Sequence, residues 1–111
     1  MNMNKEQEDS LVRQAKAQGL VIDDRIMENV TNCVKKLQEH GLTPNRLVLS
    51  AGGDDVGVYF FREPSGHISI SCYEDAFVFS GDEGKTAYDF CLKDVVSLGV
   101  INAINKFLEG K

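Results

Sequence analysis

The hydrophobic pattern of this chain changes its period near Pro44, and that change constrains the fold more than any other feature. Before Pro44, apolar residues recur at helical spacing, most clearly at Ile26, Val30, Val34 and Leu37. After Pro44, apolar and polar residues alternate in short runs, as they do in half-buried strands. The sequence therefore predicts a helical first part and a strand-rich second part.

The expected helices and strands follow from these runs and from the residues between them. Helices are expected over residues 5–18, from Asp23 or Asp24 to just before Gly41, and from an N-cap at Asp94 onwards. Gly99 inside the last helix indicates a close approach to the sheet or a local bend. Strands are expected over residues 46–51, 56–62, 67–73, 76–80 and 86–92.

The segments between the strands are rich in Gly, Pro, Asp and Ser, which favour tight turns. Consecutive strands joined by short turns are expected to pair in sequence order as an antiparallel meander. The sequence thus predicts one α+β domain over residues 1–111. It combines a β-meander of four or five strands with two helices before it and one after it.

The second strand carries apolar residues on both of its faces. Val56, Val58 and Phe60 share one face, while Tyr59 and Phe61 share the other. The set that does not face the core must lie under a second helix, in a dimer interface, or open to a partner.

Composition narrows the compartment and the class of protein. The 42% apolar content is enough for a core in a chain of this length. Cys33, Cys72 and Cys91 form no Cys-x-x-Cys pair, so free, buried thiols in a reducing cytoplasm are expected. The polar N-terminal segment and the short apolar runs predict neither a secretory signal nor a membrane span.

The excess of acidic residues is concentrated in the meander. The whole chain has 12 basic and 17 acidic groups, a net charge of −5, and residues 50–84 contain one basic residue against seven acidic ones. In a meander the first and third turns lie at the same end of the sheet, so Asp54, Asp55, Glu74 and Asp75 should cluster there without a local basic partner. Such a cluster attracts a cationic surface and disfavours direct binding of nucleic acid.

Two other interpretations of these carboxylates stay open. Aspartate is a good turn former, and acidic sheet edges keep a protein in solution. A calcium site would need ligands from two loops and matches no known loop spacing.

No arrangement of residues predicts catalysis, a cofactor or a metal. Gly84-Lys85-Thr86 lacks the first glycine of a P-loop, since Phe79 stands at that position. His67 and Cys72 are an odd number of residues apart in one strand and point to opposite faces. The histidines and cysteines have no zinc-ligand spacing, so the chain is expected not to be an enzyme.

The strand runs 47–50, 58–61 and 68–75, followed by the helical run 104–108, resemble a loose class of small acidic prokaryotic and phage proteins. These proteins combine a β-meander with a C-terminal helix. The resemblance covers about residues 44 to 108 and lies in the overall pattern. It implies an inhibitor of defence nucleases of the anti-CRISPR type, an immunity protein or an antitoxin-like partner.

The leading hypothesis is a non-enzymatic binding module that inhibits or regulates a larger protein with a basic surface, such as a phage-defence nuclease complex. The residues expected to bind this partner are Asp54, Asp55, Glu74, Asp75, Tyr59 and Phe61. One alternative is a homodimer whose interface contains Tyr59 and Phe61. Another is a small ligand-binding domain or enzyme with a pocket lined by His67 or Cys72.

Overall fold

The computed structural model describes residues 5–62, 66–83, 86–92 and 96–109 of the chain. In chain order the elements are α1 (Lys5–Ala17), α2 (Asp24–Glu39), β1 (Arg46–Leu49), β2 (Val56–Phe61), β3 (His67–Cys72), β4 (Phe77–Glu83), β5 (Thr86–Leu92) and α3 (Leu98–Leu108). The strands pair antiparallel in sequence order, β1-β2-β3-β4-β5. The predicted α+β class and the antiparallel meander between helices are confirmed.

Helix α2 has the boundaries and the buried face that its sequence predicts. The carboxylate of Asp23 accepts a hydrogen bond of 2.8 Å from the backbone N–H of Arg25, which makes Asp23 the N-cap. The helix is followed by Gly41 with a φ of +76°, a conformation that glycine adopts without steric cost. Its predicted apolar stripe is buried, and so is Cys33.

Three details of the later elements differ from the prediction. Strand β4 continues to Glu83, which pairs with Thr86, because the hairpin turn is shorter than the acidic segment suggested. Helix α3 begins at Leu98, and its N-cap is Ser97, whose hydroxyl accepts from the backbone N–H of Val100. Asp94 lies outside the described residues. Gly99 is exposed in the first turn of α3, so it does not mark a close approach to the sheet.

All three helices lie on one face of the sheet. Their buried side chains form a single core with the strand residues on that face, such as Leu47, Val58 and Ile70, which occupy one row across β1, β2 and β3. Helix α1 packs against β1, α2 against β2 and β3, and α3 against β2. We call this the helix-covered face. The opposite face bears Tyr59 and Phe61 and has no helix over it in the described part of the chain.

The strand register defines the two ends of the sheet. Leu49 pairs with Val56, Val56 with Cys72, and Cys72 with Phe77, so these four residues form the last row at one end. The β1–β2 connection (50–55) and the β3–β4 connection (73–76) both extend beyond this row. Phe61 and His67 pair at the other end of β2 and β3.

Candidate functional site

The four carboxylates expected to form a cluster lie on the two connections at the same end of the sheet. Asp54 and Asp55 belong to the β1–β2 connection, and Glu74 and Asp75 to the β3–β4 connection. Asp55 is half-buried and the other three residues are exposed. The meander brings these segments to one end because each strand reverses the direction of the chain, as the sequence pattern predicted.

The expectation that this cluster has no local basic partner is wrong. The guanidinium of Arg25 donates from Nη2 to Oε2 of Glu74 over 2.9 Å, and its Nε lies 3.5 Å from Oδ1 of Asp23. Arg25 is in the first turn of α2, which lies over the β3–β4 connection. In the sequence Arg25 lies in the helical part of the chain, 49 residues before Glu74, and only the packing of α2 brings the two side chains together.

Hydrogen bonds at the start of α2 shift two protonation equilibria. The backbone N–H of Arg25 holds the pKa of Asp23 below its usual value of 3.8. The side-chain hydrogen bond to Asp23, together with the nearby charge of Glu74, raises the pKa of Arg25. Both groups therefore keep their charges, and a fifth carboxylate, Asp23, joins this end of the molecule.

Side-chain contacts fix the segments of this end to one another. The amide of Asn29 on α2 donates from Nδ2 to the carbonyl of Tyr73 over 2.6 Å. On the other connection, a Cβ built at Gly53 would lie 3.0 Å from Cδ1 of Leu20, so the α1–α2 loop packs on the β1–β2 connection. The carboxylates consequently have a shared support in α2 and in the loop before it.

Two exposed apolar side chains lie among these charges and were not singled out from the sequence. Val21, in the α1–α2 loop, is 97% exposed, and Tyr73, which follows β3, is 36% exposed. Val21 lies in a loop, where hydrophobic periodicity gives no signal, and Tyr73, the last residue of the third predicted strand, follows the end of β3 in the structure. We use the name acidic end for Asp23, Asp54, Asp55, Glu74 and Asp75, together with Arg25, Val21 and Tyr73.

Tyr59 and Phe61 lie elsewhere, on the face of the sheet opposite the helices. The ring of Tyr59 lies along the sheet over Gly57, since a Cβ at Gly57 would be 2.5 Å from Cε1 of Tyr59. Phe61 is 41% exposed, and the guanidinium carbon of Arg46 lies 5.7 Å from its ring centroid. The ring of His67 is 5.8 Å from that of Tyr59. The six residues expected to bind a partner therefore belong to two separate surfaces.

Cys33 and Cys72 lie next to each other in the core, away from His67 on the opposite face of the sheet. Cys33 and Cys72 are free and buried, whereas His67 is exposed on the opposite face from Cys72, as the odd spacing predicted. The hydrogen bond to Cys33 and the burial of its own thiol raise the pKa of Cys72 well above its usual value, so the thiol stays protonated. The side chain of Cys91 lies outside what the structure describes.

Two surface grooves have volumes close to 320 and 340 Å³, and neither is lined by His67 or Cys72. One groove lies beside α2, between Lys35, Lys36 and Phe77. The other lies between α1 and the segment that precedes β1. Across the described ranges, no group of three or more His, Cys, Asp or Glu side chains is arranged to hold a metal ion.

Among the described helices, none combines the length and the apolar character that a membrane span requires. Comparison of the chain with protein-family models, with curated proteins and with solved structures found no match.

Proposed function

We propose that this protein is a small non-enzymatic binding module that docks through its acidic end onto a basic surface of a larger protein, and that it inhibits or regulates that protein. One observation carries this proposal. Five carboxylates from three separate segments lie at one end of the molecule, and within that set Arg25 is the one positive charge.

The charge balance of the acidic end favours a cationic partner. Arg25 offsets one of the five carboxylates of the acidic end, which leaves a net charge of −4 on these residues. Charges of one sign on neighbouring loops add their potentials within a Debye length, about 8 Å at physiological salt. Such a field speeds association with a basic surface and orients it before contact.

The two apolar side chains provide what charges alone cannot. Exposed ion pairs contribute little affinity because water screens them, whereas tyrosine is enriched among interface hot spots and apolar surface is stabilised when it leaves water. Tyr73 supplies an aromatic ring and Val21 supplies apolar surface beside the carboxylates. We therefore expect the carboxylates to set the rate and orientation of docking, and Tyr73 and Val21 to slow dissociation.

A nuclease complex is the class of partner that fits this chemistry best. Its nucleic-acid channel is lined by Lys and Arg, which neutralise phosphates. A rigid acidic end occupying that channel would exclude the nucleic acid, and this protein would need no contact with nucleic acid itself. The unpaired thiols of Cys33 and Cys72 support a reducing cytoplasm as the site of this interaction.

The test compares two variants that lose the same number of negative charges. The site variant carries Asp54→Asn, Asp55→Asn, Glu74→Gln and Asp75→Asn. The control variant carries Glu6→Gln, Glu8→Gln, Asp9→Asn and Glu39→Gln, all at exposed positions away from the acidic end. Each immobilised protein is incubated with a bacterial cytoplasmic extract at low and at physiological salt, and the bound proteins are quantified by mass spectrometry.

We expect a partner with a basic surface to bind the wild type and the control variant, and to bind the site variant about tenfold less at low salt. Tyr73→Ala should lower the retained amount at physiological salt as well. If both quadruple variants retained as much partner as the wild type, the proposal would be contradicted. If both retained equally less than the wild type, it would be contradicted as well, because the total charge rather than the acidic end would then govern binding.

A homodimer through Tyr59 and Phe61 is the weaker proposal. Tyr59 lies over Gly57 and Arg46 lies over Phe61, so a second copy would have to displace these contacts or pack against a charged guanidinium. Sedimentation of the wild type and of Phe61→Ser at high micromolar concentration tests it, since a dimer at this face should dissociate in the variant.

A further inference from the structure

The edge of β1 that faces away from β2 is covered by a side chain of α1 rather than by another strand. The amide of Gln14 donates from Nε2 to the carbonyl of Leu47 over 2.9 Å, and its Oε1 accepts from the backbone N–H of Leu49 over 2.7 Å. Leu47 and Leu49 are two residues apart on β1, which is the spacing of the donor and acceptor that a neighbouring strand would use. Gln14 therefore reproduces one repeat of a β-ladder with its side chain.

A second glutamine, Gln18, follows α1 and contacts the β1–β2 connection where it leaves the strand. The amide of Gln18 donates to the carbonyl of Ser50 over 3.2 Å and accepts from the backbone N–H of Gly52 over 3.0 Å. Gln18 therefore extends the cover from the edge of β1 onto the first residues of the connection, where the Ser50 carbonyl also accepts from the backbone N–H of Gly53. Ser10 accepts a third hydrogen bond from the amide of Gln14, which holds its orientation.

These hydrogen bonds are not needed to attach α1 to the sheet. The helix is already anchored by Leu11 and Ala15, which are 0% and 5% exposed. Two of the hydrogen bonds of Gln14 go to backbone groups of β1 that face away from β2, and an unprotected edge is a template for pairing with another strand.

We propose that Gln14 and Gln18 form an edge cover that keeps β1 from pairing with β1 of a second copy of this chain. A second copy is the occupant because identical edges are self-complementary when they pair antiparallel about a two-fold axis. Such an axis at Val48 would set Leu47 and Leu49 of each copy opposite one another. The edge cover and the acidic end are separate, so each can fail without the other.

The experiment replaces both glutamines by methionine, which keeps side-chain length and helix propensity and removes the hydrogen-bonding groups. Wild type and Gln14→Met/Gln18→Met are compared by light scattering after gel filtration over a wide concentration range. The control, Val12→Met/Ala17→Met, places the same side chains at exposed positions of α1. We expect the wild type and the control to have the mass of one chain, and the double variant to reach twice that mass.

A third variant identifies the interface. Val48→Lys added to Gln14→Met/Gln18→Met places two lysines beside each other at the two-fold axis, so the mass should return to that of one chain. A dimer that survives Val48→Lys, a wild type that is already a dimer through β1, or a folded double variant that remains monomeric would each overturn the proposal. If circular dichroism shows that the methionine variant does not fold, Gln14→Asn/Gln18→Asn takes its place, because the shorter amide cannot reach the strand.

Discussion

The two faces of strand β2 use similar side chains in different ways. On the helix-covered face, Val56, Val58 and Phe60 are at most 1% exposed and belong to the common core. On the open face, Tyr59 is half-buried and Phe61 is 41% exposed, although no described helix lies over them. A strand that is apolar on both sides therefore need not lie between two layers.

The open face is partly covered by its own side chains. The ring of Tyr59 fills the space above Gly57, which has no side chain of its own, and the guanidinium of Arg46 lies over the ring of Phe61. Ser69, opposite Tyr59 in the register, is 7% exposed. These local contacts shield aromatic surface without a second layer, whereas the other face depends on three helices.

The largest expected difference between the faces comes from two neighbouring phenylalanines. Phe60→Ala should lower the free energy of unfolding by about 3–5 kcal/mol, because it removes buried contacts and leaves a cavity. Phe61→Ala should lower it by less than about 1 kcal/mol, since its ring is half in water. Urea denaturation followed by circular dichroism measures both. Equal losses in the two variants would mean that the open face is covered in solution. If Phe60→Ala does not fold, Phe60→Leu and Phe61→Leu are compared instead.

An effect of intermediate size is the pH dependence of stability that a buried thiol on the helix-covered face produces. The pKa of Cys72 is raised by its hydrogen bond with Cys33 and by burial, so the folded state keeps this thiol protonated while the unfolded chain releases its proton near pH 9.0. The stabilisation is complete below that pH and is lost as the pH rises towards the folded-state pKa.

The free energy of unfolding measured from pH 8 to pH 10.5 should therefore fall more steeply for the wild type than for Cys72→Ala, because the two proteins share all their other ionisable groups. His67→Ala on the open face is the matched control and should keep the wild-type slope. Parallel curves for wild type and Cys72→Ala would show that Cys72 is accessible to water in the folded state.

The smallest expected effect is the coupling between Gly57 and Tyr59. Gly57→Ala places a methyl group against the Tyr59 ring and should displace it, which lowers the free energy of unfolding by about 0.5–1 kcal/mol. In a Tyr59→Ala background the same substitution should be neutral or slightly stabilising, because alanine has less backbone freedom than glycine in the unfolded chain. A double-mutant cycle by thermal denaturation measures the difference, and additive effects would rule out the contact.

Much of the fold could be predicted from local sequence patterns. The switch of period at Pro44 separated the first two helices from the strands, and alternation placed Val56, Val58 and Phe60 on one face of β2, where all three are buried. The N-cap of α3 was misplaced at Asp94 because a serine and an aspartate are both good N-caps, and the helical pattern does not distinguish Ser97 from a residue three positions earlier.

The candidate site was predictable in part for a physical reason. The common end of two turns follows from strand reversal alone, so Asp54, Asp55, Glu74 and Asp75 could be grouped from the sequence. The ion pair of Arg25 with Glu74 could not be predicted, since it depends on where α2 crosses the sheet. The glutamines of α1 likewise gave no signal, because a surface glutamine has the same pattern whether or not it meets a strand edge.

The sequence by itself determined which segments are helices or strands and which residues share a face, because these properties repeat within a few residues. Only the tertiary structure decided which face of β2 the helices cover, that Arg25 joins the acidic end, and that Gln14 and Gln18 meet the edge of β1 and the connection after it. Those contacts join residues more than 30 positions apart, and their geometry is set by how the helices pack on the sheet rather than by any repeat along the chain.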